Sequence, residues 1–138
     1  AVEIGVRDEG VTAMHDATEC GVIGGVFEIA NASGVGIEID KSSIPISRAT
    51  HAICQYFGMD PLISISEGTL IICVKPEKVD ELMSHLKKRH IKCEAIGRIL
   101  PKQEGYWLIE EGKRKPLEHP VVDPFWDAIR RAMEEGLT

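Results

Sequence analysis

The 138-residue sequence has no long apolar run, and with a mean hydropathy of −0.05 it offers no membrane span. It has no basic excess either. Sixteen Lys and Arg face 22 Asp and Glu, for a formal net charge of −6 and a pI near 5.4. That balance argues against general nucleic-acid binding. There is no C-x-x-C pair: Cys20, Cys54, Cys73 and Cys93 are too widely spaced for a zinc site. Cys73 and Cys93 fall in apolar runs, where a free buried thiol is expected, and the set fits a reducing cytoplasm. No G-x-G-x-x-G, Walker loop, nucleophile elbow or Ser-His-Asp order occurs. The opening AVEIGVRDEG has no basic start before an apolar core, so no secretory signal is read there. It also has no initiator Met and begins inside an apolar/polar pattern. A piece of a longer protein is therefore expected, with residues 1–10 a segment or linker from a preceding domain and 11–138 one domain.

What is present is regular patterning. Apolar residues make up 43% of the chain and recur in stripes, which argues against disorder. After the short apolar run 11–14, Val22, Ile23, Val26, Phe27 and Ala30 mark one face of a helix. Asp16 or Thr18 is expected to cap it and Gly34 to stop it. Residues 35–40 alternate as a half-buried strand does. Ser47 caps a second expected helix with Ala49, Ala52, Ile53, Tyr56 and Phe57 on its apolar face, ended by Gly58. The near-continuous apolar run 69–74 predicts a central strand buried on both faces. Pro76 opens a third helix, with Val79, Leu82, Met83 and Leu86 inward and a basic last turn at 87–90. Residues 91–100 and 106–109 read as strands and 110–122 as irregular. Asp123-Pro124 starts a last helix lined by Phe125, Ile129, Ala132 and Met133. The alternating order predicts an α/β (α+β) fold, a layered sandwich with helices packed on one mixed β-sheet.

Two polar clusters could carry chemistry. The first runs from Met14 through His15, Asp16, Thr18, Glu19, Cys20 and Gly21 into Gly24-Gly25. A helix start favours an anion, glycines allow close approach, and Asp16 and Glu19 are able to hold magnesium or accept a proton. The same residues also serve as ordinary caps and packing glycines. The second cluster, Ser64 to Thr69, sets Glu67 before Gly68 at the mouth of a strand, where α/β proteins gather ligand groups. The residues alone read first as a solvated turn before a strand. A thiol sensor at Cys20, beside a helix N-terminus, is a further reading.

These clusters carry a family resemblance. The segment MHDATECGVIGGVFEIANASGVGIEID, then IPIS, then GMDPLISISEGTLIICV resembles the C-terminal domain of the aminoimidazole ribonucleotide synthetase superfamily over about residues 14–100. Within it the pattern is most like the hydrogenase expression/formation (HypE) and archaeal synthetase-related branch. The resemblance implies a C-terminal α/β domain that closes over a nucleotide cleft. It also implies ATP and Mg held mostly by an N-terminal domain, a homodimer in the full-length protein, and a hydrogenase maturation partner. Members transfer a phosphoryl group from ATP to an amide- or carbonyl-type oxygen or another acceptor. The HypE type dehydrates an S-carboxamide on its own C-terminal cysteine.

Carried over by position, the resemblance makes Glu67 the catalytic proton acceptor or orienting group. It gives Asp16, Thr18, Gly21 and Gly68 phosphate- or substrate-binding roles, His15, Glu19 and Thr69 of the same two clusters are expected to share them, and no metal ligand is read in this chain. Cys20 stands where the pattern has its first glycine, and the ending Glu134-Glu135-Gly136-Leu137-Thr138 is not the Pro-Arg-x-Cys of the HypE type. A relative with another acceptor, or a non-catalytic binding or oligomerisation module, therefore stands beside the cyanide-forming enzyme.

Overall fold

A computed structural model describes residues 2–6 and 9–136. Its elements are β1 (Val11–Ala17), α1 (Gly21–Ser33), β2 (Gly36–Asp40), α2 (Arg48–Phe57), β3 (Thr69–Val74), α3 (Val79–Lys88), β4 (Gly97–Leu100), β5 (Tyr106–Glu110), β6 (Lys113–Pro116) and α4 (Pro124–Glu134). The mixed α/β class holds, but the strands form two sheets where one was expected. A four-stranded sheet runs in the order β4-β2-β5-β6, and β1 and β3 make a separate antiparallel ribbon. In the larger sheet β2 is parallel to β5 and antiparallel to β4.

α1 joins the two sheets, packing on β1, β2 and β3. Its Val22, Ile23, Val26 and Ala30 meet Ile37 and Ile39 of β2, Leu108 of β5, and Ala17 and Ile71 of the ribbon in one core. Its end is a left-handed cap at Gly34, φ 65°, whose N–H donates to Ala30 and Asn31 carbonyls, as the sequence predicts. The ribbon's far end packs on α3 in a second cluster of Ile4, Val11 and Leu82, with Ile72, Val74 and Leu86 against it.

Several elements depart from expectation. β3 is not central. Among the described residues it pairs with β1 alone, and Leu70 is exposed, because its apolar run is spent on α1 at one face and on α3 at the far end. The stretch 91–96 makes no strand, so β4 is four residues long, and β3-α3-β4 is no parallel crossover because its strands lie in different sheets. The supposedly irregular 110–122 holds β6. Glu110 pairs with Lys113 across Glu111 (φ 51°) and Gly112 (φ 73°), a two-residue turn with both central residues at positive φ. Pro76–Lys78 is a 3-10 turn before α3. α2 starts at its Ser47 cap and ends at Gly58 as expected, but buries Cys54 alone. Ile53 and Tyr56 are 56% and 73% exposed, so the expected apolar face is turned to solvent. α4 begins as expected at Asp123, which accepts from Phe125 N–H, and it buries Ala128.

The other face of the four-stranded sheet is polar. Glu38 of β2 accepts from Arg98 of β4 at 2.8 Å and pairs with Arg114 of β6 at 3.0 Å. The Arg114 guanidinium lies over the Trp107 ring. This cross-strand ladder fixes the register of three strands on the side away from α1.

Candidate functional site

The site is built at the end of the β1–β3 ribbon, where β1 runs into α1. Antiparallel register sets Asp16 opposite Leu70 and Ala17 opposite Thr69. Just beyond, the Thr18 carbonyl accepts from Ser66 N–H at 3.0 Å. The two polar clusters, some fifty residues apart in sequence, therefore share one rim. Glu67 and Gly68 form its tip. Gly68 takes φ +83°, and Ser66 Oγ donates to Thr69 Oγ1 at 2.8 Å across the turn. Asp16, Thr18, Glu19 and Glu67 are all exposed there. Glu67 makes no hydrogen bond or ion pair with the described residues, so its carboxylate is available to a ligand.

The start of α1 differs from the sequence reading. Neither Asp16 nor Thr18 caps it. Asp16 lies in β1, its carboxylate 4.0 Å from His15 Nδ1, and Thr18 contributes its backbone carbonyl to Gly21 N–H. The N-cap is Cys20, in a left-handed conformation (φ 61°) with no side-chain cap bond. Gly21 follows at φ +60°, and a Cβ there would stand 2.7 Å from the carbonyl oxygens of Leu62 and Ser64. The loop before β3 thus lies against the first turn of α1, and Ile23 N–H donates to Leu62 O at 3.0 Å. That loop is itself tied down: Ser64 Oγ donates to Asp60 O and Leu62 N–H to Asp60 Oδ1.

Several contacts of this region were not announced by the sequence. Asp123, 3% exposed, accepts from Cys20 N–H at 2.7 Å with one oxygen and from Phe125 N–H with the other. Cys20 Sγ donates to Pro120 O. Burial first, then Asp123, Glu19 and Glu28, push the Cys20 thiol upward. This is the opposite of what a helix-start thiol sensor needs. Glu28 takes His15 Nε2 at 2.8 Å and His119 Nε2 at 3.4 Å on its two oxygens. The His15 hydrogen bond is the main cause holding Glu28 below the usual carboxylate range. The α1 pattern could have flagged Glu28 as the polar residue facing β1. The Asp-Pro pattern marked Asp123 as the cap of α4, but nothing local could have flagged its bond to Cys20, 103 positions away.

Asp123 gives a first expected result. Asp123→Ala should destabilise the fold by about 3 kcal/mol, because it removes a helix cap and strands the buried Cys20 N–H. Urea unfolding checks it, and Asp123→Asn should recover part of the loss.

Among the described residues no group of three His, Cys, Asp or Glu side chains is placed to hold a metal ion. No described helix is long and apolar enough to cross a membrane.

Residues 1–110 match the family model described as "AIR synthase related protein, C-terminal domain". The chain belongs to that family. The carbamoyl dehydratase HypE of Escherichia coli is 30% identical over 117 residues, 83% of this chain and 35% of the relative. The solved structure of Escherichia coli HypE, a hydrogenase maturation protein, superposes with a TM-score of 0.73 at 32% identity, covering 83% of this chain and 36% of that one. A structure of HypE in complex with ATP shares the fold at TM-score 0.68 and 22% identity, over 78% of this chain and 35% of that one. The chain thus spans little more than a third of each of these relatives. Within the family match lie β1, the first turns of α1 and the Glu67 tip, while His119, Pro120 and Asp123 lie beyond it.

Proposed function

We propose that this chain is the cleft-closing C-terminal domain of an ATP-dependent enzyme of the synthetase superfamily, related to the hydrogenase maturation protein HypE. The observation that carries the reading is the Thr18–Ser66 backbone bond, which brings Asp16, Glu19 and Glu67 to one rim. In this reading Glu67 accepts or orients a proton at the acceptor substrate, while His15, Asp16, Thr18, Glu19, Gly21, Gly68 and Thr69 shape the phosphate and substrate side.

The rim fits ATP and Mg as one wall of a cleft. Its exposed carboxylates and hydroxyls can face a nucleotide–metal complex. The amides of Cys20, Gly21 and Ile23 already serve Asp123, Thr18 and Leu62 within the chain. A phosphate cradle made of helix-start amides is thus largely spent. When bound, ATP with Mg supplies the phosphoryl group, and transfer then rests on positioned charge. Most of that charge is assigned to a preceding domain, with residues up to Gly10 the connection. A homodimer of the full-length protein, a partner in hydrogenase maturation and a cytoplasmic setting belong to the same reading.

The test is phosphate release from ATP with magnesium and candidate acceptors. The full-length protein should turn over and the 138-residue chain alone should not. Robust turnover by this chain alone would overturn the proposal. A second reading, a binding or oligomerisation module of the same fold, draws on the closure of the α1 start by Asp123. The two diverge on Glu67.

A further inference from the structure

We propose that β3 docks edge to edge on the β3 of a second copy of this chain, joining two ribbons into one antiparallel sheet in the order β1-β3-β3-β1. The proposal does not depend on the enzyme reading. β3 pairs with β1 on one side. On its other side its backbone makes no hydrogen bond with the described residues. Its sequence, Thr-Leu-Ile-Ile-Cys-Val, holds no charge, proline or glycine. The ribbon's irregularity lies on β1, between Val11 and Ala13, and not on β3. β3 therefore has none of the devices that keep a strand edge from pairing with another chain. The other margin of the ribbon is occupied where it begins. Val11 N–H donates to Gly5 O at 2.9 Å, Val6 bridges Val11, and Glu3 holds the Arg89 guanidinium of α3 at 2.8 Å.

Two features select a second copy as the occupant. The first is charge. With a two-fold axis at Ile71 or Ile72, every β3 residue meets an uncharged β3 residue, so no like charges are opposed. The second is the unequal cover of the strand's outer face. Ile71 packs in the core under α1, and alternation turns Leu70, Ile72 and Val74 the other way. α3 lies over Ile72 and Val74. Leu70 is bare, 53% exposed, as is its diagonal neighbour Met14, 47% exposed. Antiparallel pairing about the two-fold turns the bare end of one strand to the covered end of the other. Leu70 then stands opposite Val74 or Ile72 of the second copy, beside that copy's α3. Each copy covers what the other leaves open, which is the self-complementarity that an isologous pair requires. One free edge per ribbon is consumed, so the assembly closes at two. The Glu67 tips, each just before its β3, fall at opposite ends of the joined sheet, and neither rim is pressed on the other.

Sedimentation equilibrium and hydrogen exchange of the 138-residue chain test this together. The mass should climb from the 15.2 kDa of one chain toward twice that, and no further, as concentration is raised through the micromolar range in which small interfaces dissociate. Over the same range alternate amides of residues 69–74 should gain protection, because half the N–H groups of an edge strand point outward. Leu70→Lys should weaken association by about tenfold or more, since each copy would bring an unpaired ammonium to the joint. Leu70 is exposed, so this variant should keep the wild-type urea midpoint. Met133→Lys, at an exposed apolar residue of α4, should associate as the wild type does. A single-chain mass at every concentration would leave the edge to a different protein and overturns the proposal. β3 protection that does not change with concentration would place another segment of the same chain on the edge and overturns it too. So do undiminished association of Leu70→Lys, an equal loss in Met133→Lys, or growth beyond two copies.

Discussion

Glu67→Gln in the full-length protein should lower ATP-dependent turnover about a hundredfold while leaving the urea midpoint unchanged. The size is that of removing a positioned proton acceptor. The unchanged stability follows from the geometry. Glu67 is exposed at the tip of a turn that is closed by its neighbours, Ser66 to Thr69 through the side chains and Ser66 to Thr18 through the backbone. Glutamine keeps the shape and the turn and loses only the charge and the basic oxygen. Steady-state phosphate release with saturating nucleotide checks the rate. A variant with wild-type turnover would remove Glu67 from the chemistry and favour the binding-module reading. A variant that lost rate and stability together would make the effect structural.

Gly21→Ala should destabilise the fold by about 3–4 kcal/mol, with the denaturant slope unchanged. Two costs add. A non-glycine residue held at φ +60° costs on the order of 1 kcal/mol. The added methyl would also stand 2.7 Å from two backbone carbonyls, those of Leu62 and Ser64, which no side-chain rotation can relieve. The loop before β3 must then move off α1, breaking the Ile23–Leu62 bond and unseating Leu62, a core residue. Urea unfolding of the variant measures the loss. A change under about 1 kcal/mol would mean that the loop yields freely and does not define the rim.

How much of this was legible in the sequence depends on the range of the forces involved. Helix stripes and the caps at Ser47, Asp123, Gly34 and Gly58 are local, and each was readable from a few neighbouring residues. Sheet partition is not local. The run 69–74 is as apolar as a central strand, yet its burial comes from α1 and α3 and not from flanking strands. The α2 stripe looks core-facing and meets solvent, since periodicity shows that a helix has a face without showing what covers it. The β6 hairpin hid behind a charged Lys-Arg-Lys strand, although Glu111-Gly112 marked its turn.

For the candidate site, residue types and the shared motif pointed to both clusters. Their meeting at one rim needed the β1–β3 register. The cap assignment failed for a related reason. Asp16 and Thr18 have the right chemistry for a cap, but β1 runs on through Ala17, and the helix starts later, from a left-handed Cys20 whose amide is satisfied by Asp123.

The four-stranded sheet ends on one side in Lys113, Arg114, Lys115 and Pro116, all exposed. Three adjacent cations and an imino acid make a poor template for another chain's backbone. The opposite margin, β4, is only four residues long and carries Arg98. Neither flank invites an added strand, so self-association of copies through extension of this sheet is disfavoured.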